Sequence, residues 1–368
     1  MYPSVGLRSL AISLPSTLRT NDYYHKNYPE LVATAQQQTL AKLFSFTESI
    51  PSNEFDSEME PYLQDPFRGT VQQWILSPKE SDLMLEYRAA QDALEAAKLS
   101  PEDIDLMIVA SVWPEQIGFG NATFLARELG LKGAAWNLDA ASGVTPVALQ
   151  TACALVRAGE YRNILVVISC TYSRLFAKDD TVSWFVSDGA GAFVVGSLPK
   201  NQGILGTKTI HTGILSDILI PVLEVDRYGN PGLCVRVNES ASKLLRDTAA
   251  DLLRTCCEGA VAAANLTLDQ IDFFLFHTPM AWFASFCSRI LGIDPKRTLN
   301  LYPEYANIGP VITLVNLYHA AQLGKIREND LVLVYGFGVG GVAAANVIRW
   351  SDVALAPRSH QKSDSIVN

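Results

Sequence analysis

The sequence predicts an α/β protein made of two similar halves, and three patterns carry that prediction. Short apolar runs typical of buried strands alternate with longer amphipathic helical runs. The order of these runs in the first half returns in the second half. A glycine-containing segment also precedes a final small-residue strand in each half, at 189–191 and at 336–341. We therefore expect halves at residues 1–198 and 199–368, packed as pseudo-twofold partners with a site between them.

The elements of the first half follow from hydrophobic spacing. Alternating apolar and polar residues predict a strand over Val5–Leu14, which ends before Pro15. The stretch 20–66 is polar, aromatic and interrupted by prolines, and it predicts an irregular or helical insertion. The later runs predict the helix Ser77–Lys98, the strand Ile104–Val112, the helix Asn121–Leu129 and the strand Asn163–Cys170.

The second half repeats this order at a nearly constant offset. The segment that starts at Leu99 matches the segment that starts at Leu266, 167 residues later, and a segment from Gly159 matches one from Gly324, 165 residues later. The repeated elements are the helix Ser240–Ala264, the strand Phe273–Phe276 and the helix Val311–Leu323. Each half therefore predicts a sheet buried under helices.

Composition and charge exclude several classes of protein. Apolar residues make up 48% of the 368 residues, and the formal net charge of −9 argues against general nucleic-acid binding. No apolar run reaches the roughly 20 residues that span a bilayer, and the first residues lack the apolar core of a signal peptide. The six cysteines form no CxxC pair. We expect a soluble, reduced, cytoplasmic protein with no metal, nucleic-acid or membrane partner.

The centre of the first half is Ala135–Leu149, where small residues separate an apolar strand from an apolar helix. Small residues at such a turn let the backbone approach a ligand closely. A helix that begins near Ser142 and Gly143 directs free N–H groups and a partial positive charge to that position, which suits a developing oxyanion. Ser142 is the only nucleophilic side chain of the small-residue segment, although alone it also fits an N-cap serine.

The internal repeat selects two partners for Ser142. An offset of about 166 residues carries Ser142 onto Asn307–Ile308, and His277 ends a predicted strand. Strand ends and helix starts form the ligand side of open α/β sheets. A serine nucleophile needs a base within hydrogen-bond reach, and a histidine and an asparagine that donate to one carbonyl oxygen stabilise an enolate or a tetrahedral oxyanion. Each residue alone also fits a structural role, His277 in the core and Asn307 in a cap or turn.

Two glycine segments have different predicted roles. Asp188 precedes Gly189-Ala-Gly, where a turn aspartate that bonds the backbone is the expected role. The segment Gly336–Gly341 lacks the lysine of a phosphate loop and leads into a strand. We expect its backbone N–H groups, that of Val339 in particular, to face the site with the N–H of Ser142.

At these residues the chain resembles the thiolase-fold β-ketoacyl-ACP synthase III family, from Val5 to Trp350. The resemblance lies in the Asp-Ile-Asp-Leu-Met-Ile-Val-Ala strand, in Asp-Gly-Ala-Gly-Ala, and in the closing segment from Gly324. It implies a thiolase-like fold, with duplicated βαβ halves in a layered α-β-α-β-α sandwich. It also implies that His277 and Asn307 are the active-site histidine and asparagine.

The resemblance places Ser142 where the family has a nucleophilic cysteine, if the stretch is aligned without a gap. A shift by one residue instead places Ala141 there and leaves no nucleophile. Ser142 is then a natural serine or an engineered replacement of cysteine. The segment Thr278–Trp282 departs from the family's Gln-Ala-Asn and arginine, which affects recognition of a CoA or carrier phosphate.

The implied function is that of an acyltransferase of the synthase III type. It accepts an acyl group from acyl-CoA or an acyl carrier protein at position 142 and condenses it with a malonyl-type thioester, as a homodimer and without a cofactor. The alternatives are loading of a starter acyl group in polyketide or specialised metabolism, a catalytically silent carrier-binding subunit, and a serine hydrolase, although the Gly-x-Ser-x-Gly motif is absent. Bulky side chains that are candidates for a substrate tunnel are Trp113, Phe119, Trp184, Trp282 and Phe337.

Overall fold

The structure, a computed structural model, describes residues 3–47, 53–176, 180–225, 229, 231–357 and 366–367. Residues 48–52 of the predicted insertion lie outside the described residues. The strands are β1 (Val5–Ser13), β2 (Thr17–Thr20), β3 (Gln72–Ile75), β4 (Leu106–Val112), β5 (Ala134–Asn137), β6 (Ile164–Thr171), β7 (Asp188–Ser197), β8 (Gly203–His211), β9 (Leu219–Val225), β10 (Pro231–Val237), β11 (Phe273–Phe276), β12 (Leu331–Phe337), β13 (Val342–Arg349), β14 (Ala354–Leu355) and β15 (Ile366–Val367).

Helices connect these strands. They are α1 (Asn21–Asn27), α2 (Pro29–Thr47), α3 (Glu54–Met59), α4 (Asp82–Ala96), α5 (Ala122–Leu129), α6 (Val144–Ala158), α7 (Ala241–Ala263), α8 (Phe283–Leu291), α9 (Tyr302–Tyr305) and α10 (Val311–Gln322). Among the described residues, none of these helices is both long and apolar enough to cross a membrane.

The two large sheets repeat one topology, which confirms the predicted duplication. The first sheet has the order β14-β1-β7-β6-β4-β5, and the second has the order β8-β13-β12-β11. In each, two antiparallel pairings, β1-β7-β6 and β8-β13-β12, are followed by a parallel one, of β6 with β4 and of β12 with β11. Strand β14, which follows β13 in the chain, returns to the first sheet and pairs with β1, so the second half of the chain closes onto the first.

Five layers result from this duplication, as predicted. Helices α4 and α5 cover the outer face of the first sheet, where an apolar cluster includes Leu85, Leu125 and Val167. Helices α6 and α10 lie between the two sheets and form the largest cluster with both inner faces. Helices α7 and α8 cover the outer face of the second sheet. Because α6 and α10 are enclosed by sheets, their sequences are apolar on nearly every side.

Two local predictions differ from the structure. The helix predicted from Ser77 begins at Asp82, because the Ser81 side chain accepts a hydrogen bond from Met84 N at 3.2 Å and caps the helix there. Asp188 does not lie in a turn but is the first residue of β7, which runs through both following glycines. Its expected bonding to the backbone is confirmed, since its carboxylate accepts from Leu76 N at 2.8 Å and from Ser173 N at 2.9 Å.

The insertion is helical over most of its described length, and it packs against both halves of the chain. In α3, Phe55 packs against the ring of Phe286 with centroids 5.4 Å apart. Ion pairs join Asp56 to Arg246 at 3.4 Å and Glu58 to Arg289 at 2.5 Å. A separate aromatic cluster holds α1 and α2 on the first half through Tyr24, Phe67 and Trp184.

Candidate active site

Ser142 lies in a short 3-10 turn, Ala141–Gly143, directly before α6. Ala141 has φ of +47°, in the left-handed region that favours glycine. The carboxylate of Asp139 accepts a hydrogen bond from Ala141 N at 2.9 Å and holds this turn. The strained residue before Ser142 therefore turns the chain sharply from β5 into the helix, and the N-terminus of α6 lies at the serine.

The glycine segment of the second half lies against this turn. A Cβ atom placed on Gly338 would lie 2.5 Å from Ser142 N and 2.9 Å from Gly143 N. A Cβ atom on Gly143 would lie 2.7 Å from Val342 O. Only glycine fits at both places, and this close approach brings backbone of both halves to the position of Ser142. Val339 follows Gly338 and is half-buried; its N–H as an oxyanion donor remains a prediction.

The Ser142 side chain is 6% exposed and lies 3.4 Å from the hydroxyl of Tyr172, measured from Oγ to Oη. Tyr172 directly follows β6, at the same end of the sheet. Among the hydrogen bonds of the described residues, none joins Ser142 to His277. The base contact expected for a serine nucleophile is thus not formed in this structure, and Tyr172 is the residue that sequence reasoning missed. Its place after a buried strand is the signal that could have found it.

His277 directly follows β11, where its backbone N–H donates to Tyr335 O at 2.9 Å. The side chain is 2% exposed, and its ring packs edge-on against Phe337 with centroids 5.7 Å apart. Within the described part of the chain, neither ring nitrogen has a well-aligned hydrogen-bond partner. Burial lowers the pKa of His277 to about 3, against a smaller raising effect of the Gly309 backbone. The imidazole is therefore neutral at neutral pH.

Asn307 lies in the turn between α9 and α10, and backbone and side chain both hold it. Its backbone N–H donates to Phe185 O at 2.9 Å, and its carbonyl accepts from Ser187 N at 3.0 Å. Its Oδ1 accepts from Gly309 N at 2.8 Å, which fixes the plane of the amide. The preceding Ala306 has φ of +50°. This asparagine is consequently held in one orientation with its amide oxygen engaged by the chain itself.

Gly309 joins these residues into one region. Its N–H binds Asn307, and its backbone lies beside the ring of His277. A Cβ atom on Gly309 would lie 3.4 Å from the Tyr172 ring, whose hydroxyl contacts Ser142. The starts of the two central helices are also tied together, because Thr145 Oγ1 donates to Pro310 O at 2.9 Å. The two helix N-termini thus meet across the pseudo-twofold axis, as the repeat predicts.

The five aromatic tunnel candidates separate into different environments. Phe337 contacts the ring of His277, and Trp113 is half-buried with φ of +66°. Phe119 is 82% exposed on a surface loop of the single chain, and its role as a tunnel residue stays a prediction. Trp184 packs against Tyr24 and Phe67, and Trp282 packs against Phe55 and Tyr62. Both tryptophans thus contact aromatic side chains in or directly after the insertion, and their role in a substrate tunnel stays a prediction.

No metal site is found among the residues that the structure describes. The described residues contain no group of three or more histidine, cysteine, aspartate or glutamate side chains that could hold a metal ion. All six cysteines are free, and Cys170 is buried beside Gly309. Burial raises the pKa of the Cys170 thiol well above its usual range. Cys170 is therefore a poor candidate to replace the nucleophilic cysteine that the family has at the position of Ser142.

Comparison with known proteins identifies the class of this site. Residues 261–350 match the profile of the C-terminal part of 3-oxoacyl-(acyl-carrier-protein) synthase III, and residues 137–213 match the profile of 3-oxoacyl-(acyl-carrier-protein) synthase III. A β-ketoacyl-(acyl-carrier-protein) synthase III of Microcystis aeruginosa (strain NIES-843 / IAM M-2473) is 30% identical over 278 residues, which cover 73% of this chain and 83% of that protein. The chain belongs to this family of condensing enzymes.

Solved structures share the thiolase-like fold. The priming β-ketosynthase of the R1128 polyketide pathway superposes with a TM-score of 0.77 at 21% identity, covering 97% of this chain and 98% of that one. OleA of Xanthomonas campestris, in a form with a cysteine changed to serine and with lauric acid and lauroyl-CoA bound, gives a TM-score of 0.73 at 18% identity, covering 95% of this chain and 100% of that one. At these identities the likeness concerns the fold.

Proposed function

We propose that the protein is an acyltransferase that forms an acyl ester at Ser142 and condenses the acyl group with a malonyl-type thioester to give a β-ketoacyl product. The observation that carries the proposal is the meeting of Ser142, at the start of α6, with the glycine turn of the opposite half. A helix N-terminus and fixed backbone N–H groups stabilise the oxyanion that forms when a thioester carbonyl is attacked.

His277 and Asn307 act on the proton and on the substrate oxygen. Because His277 is neutral, it accepts the proton of Ser142 once substrate draws the two side chains together, and it then donates to a carbonyl oxygen. Asn307 is held by Gly309 and supplies the second donor from its amide nitrogen. A helix N-terminus that activates a thiol does not ionise an alkyl hydroxyl at neutral pH, so Ser142 depends on these side chains more than a cysteine would.

The acyl donor is a CoA or carrier-protein thioester, and no cofactor takes part because the thioester already activates the acyl group. A related fold with serine in place of cysteine is known with lauroyl-CoA bound, which supports a CoA thioester as donor. We place the enzyme in the cytoplasm.

We also propose a homodimer in which the first sheets of two protomers join. Strand β5 lies at the edge of the first sheet, and its Trp136 is 37% exposed. A free edge strand that carries an exposed aromatic side chain is suited to pairing with another chain. Trp136→Lys should convert a dimer to a monomer in light scattering coupled to size-exclusion chromatography, and a wild-type monomer contradicts this assignment.

Two further roles compete with condensation. Transfer of a starter acyl group without condensation is favoured by the oxyester, which is less reactive toward a carbanion than a thioester. A silent carrier-binding subunit is favoured by the absence, among the described hydrogen bonds, of a contact between Ser142 and His277.

Intact-mass spectrometry with a panel of acyl-CoA and acyl-carrier thioesters tests the proposal. Wild-type protein and Ser142→Cys should both gain one acyl group, the cysteine form faster, and Ser142→Ala should gain none. Product analysis with malonyl-carrier then separates condensation from simple transfer. The assignment fails if neither the wild type nor the cysteine form gains an adduct, and copurification of a separate homologue would then favour the silent subunit.

A further inference from the structure

The position of Tyr172 suggests more than packing. Its ring fills the space between the start of α6 and the turn before α10, since its edge lies against Gly309 and its hydroxyl lies against Ser142. The residue is buried among the side chains of the central layer. Its hydroxyl is therefore the side-chain group that the fold has brought to the oxygen of Ser142.

A serine creates a chemical problem that a cysteine does not. When an acyl-enzyme transfers its acyl group, the bond between the acyl carbon and the enzyme atom breaks, and the enzyme atom keeps the electron pair. A thiolate holds this charge readily, whereas an alkoxide does so poorly at neutral pH. A hydrogen-bond donor aimed at Oγ, in a buried site, reduces this difference.

We propose that Tyr172 is a catalytic residue that donates a hydrogen bond to Ser142 Oγ whenever that oxygen carries negative charge. The inference rests on the proposed acyl transfer at Ser142. The phenol keeps its proton throughout, because burial raises its pKa well above the usual range for tyrosine. Tyr172 therefore acts as a donor and not as the base.

The steps balance with Tyr172 in this role. In acylation the Oγ–C bond forms and the C–S bond breaks; the thiolate leaves with its electron pair and receives the serine proton by way of His277. In condensation the malonyl group loses CO₂, the resulting carbanion attacks the ester carbon, and the C–Oγ bond breaks. The electron pair stays on Oγ, stabilised by Tyr172, until Oγ takes up the one proton from solvent that this decarboxylative reaction consumes.

The test is a two-by-two comparison. Tyr172→Phe is made in the wild type and in Ser142→Cys, each form is loaded with acetyl-CoA or lauroyl-CoA, and the rate at which malonyl-carrier removes the acyl adduct is followed by intact mass. Loss of the donor should slow transfer of the acyl group from the serine form by about tenfold or more and leave transfer from the cysteine form little changed. A merely structural tyrosine would slow both forms alike.

Two further variants control for packing. Tyr87→Phe removes a hydroxyl that accepts from Gln91 on the surface of α4, and it should change neither rate. Tyr172→Met is a second donor-free form that should show the same selective loss if the phenylalanine form folds poorly. Equal slowing in both backgrounds, or no slowing of the serine form, overturns the role of Tyr172 while the acyl transfer stands. No adduct on either the wild type or Ser142→Cys overturns the proposed function, and the role of Tyr172 with it.

Discussion

Glu86 is a fully buried carboxyl group whose ionisation should control the stability of the first half. It lies on α4 and accepts hydrogen bonds from Ser111 Oγ at 2.5 Å, Ser169 Oγ at 2.5 Å and Asn121 Nδ2 at 3.0 Å. Burial, with a smaller contribution from Asp82, raises its pKa from an ordinary value of 4.5 to about 7. The change to make is Glu86→Gln, which is neutral at every pH and nearly the same size.

The magnitude follows from that pKa. The folded protein keeps the Glu86 proton up to about pH 7, while the unfolded chain loses it near pH 4.5. Unfolding therefore releases a proton in this interval, and the contribution of Glu86 to stability, fully present below pH 4.5, is lost as the pH rises through 7. At 1.36 kcal/mol for each pKa unit, the loss is about 3 kcal/mol. The free energy of unfolding of the glutamine variant does not fall in this way as the pH rises. Loss of one hydrogen bond lowers it by about 1 kcal/mol at every pH, because the NH₂ group of glutamine cannot accept a hydrogen bond from Asn121.

Urea denaturation followed by tryptophan fluorescence, at intervals from pH 4.5 to 8.5, measures the effect. The variant should be slightly less stable than the wild type at low pH and more stable by about 2 kcal/mol at pH 8, with the crossover between. Glu95→Gln removes an exposed carboxylate from the same helix and should follow the wild-type profile. Parallel pH profiles for Glu86→Gln and the wild type would refute the reasoning.

Three other changes test different parts of the structure. Gly338→Ala should displace the turn at Ser142 and abolish acyl-adduct formation, since its Cβ would lie 2.5 Å from Ser142 N; an alanine form that acylates normally contradicts this. Phe55→Ala removes the aromatic anchor of α3, should cost about 3 kcal/mol, and should expose the insertion to limited proteolysis; unchanged cleavage would show that the ion pairs suffice. His277→Gln should abolish condensation and also flatten the loss of stability on acidification from pH 6.5 to 3, because unfolding takes up a proton there in the wild type; an unchanged acid profile would refute the buried, neutral state of His277.

Much of the candidate site was predictable because it lies where the internal repeat places it. Ser142 follows a strand and begins a helix, His277 ends a strand, and Asn307 precedes the matching helix. Hydrophobic period fixes the type and order of these elements, and the duplication fixes which ends meet. The predicted helix at Ser77–Lys98 had the right type but began five residues too early, since the cap at Ser81 is a local signal that periodicity does not contain.

The contacts of the insertion were beyond such reasoning. Its composition predicted an irregular or helical segment, but Phe55 meets a ring more than 200 residues away in the sequence, at Phe286. The same limit applies to Trp184, whose neighbour Tyr24 comes from the insertion and whose neighbour Phe67 directly follows it. An aromatic residue in a sequence favours burial but leaves open whether protein or substrate buries it.

By itself, the sequence determined the class of fold, the duplication of the halves and the three residues at strand ends and helix starts, because periodicity and repeats are written along the chain. Only the tertiary structure decided that Tyr172 reaches Ser142, that Gly338 must lack a side chain and that Glu86 holds its proton near neutrality. These properties depend on distance and burial between residues far apart in sequence, and such quantities exist only once the layers have packed.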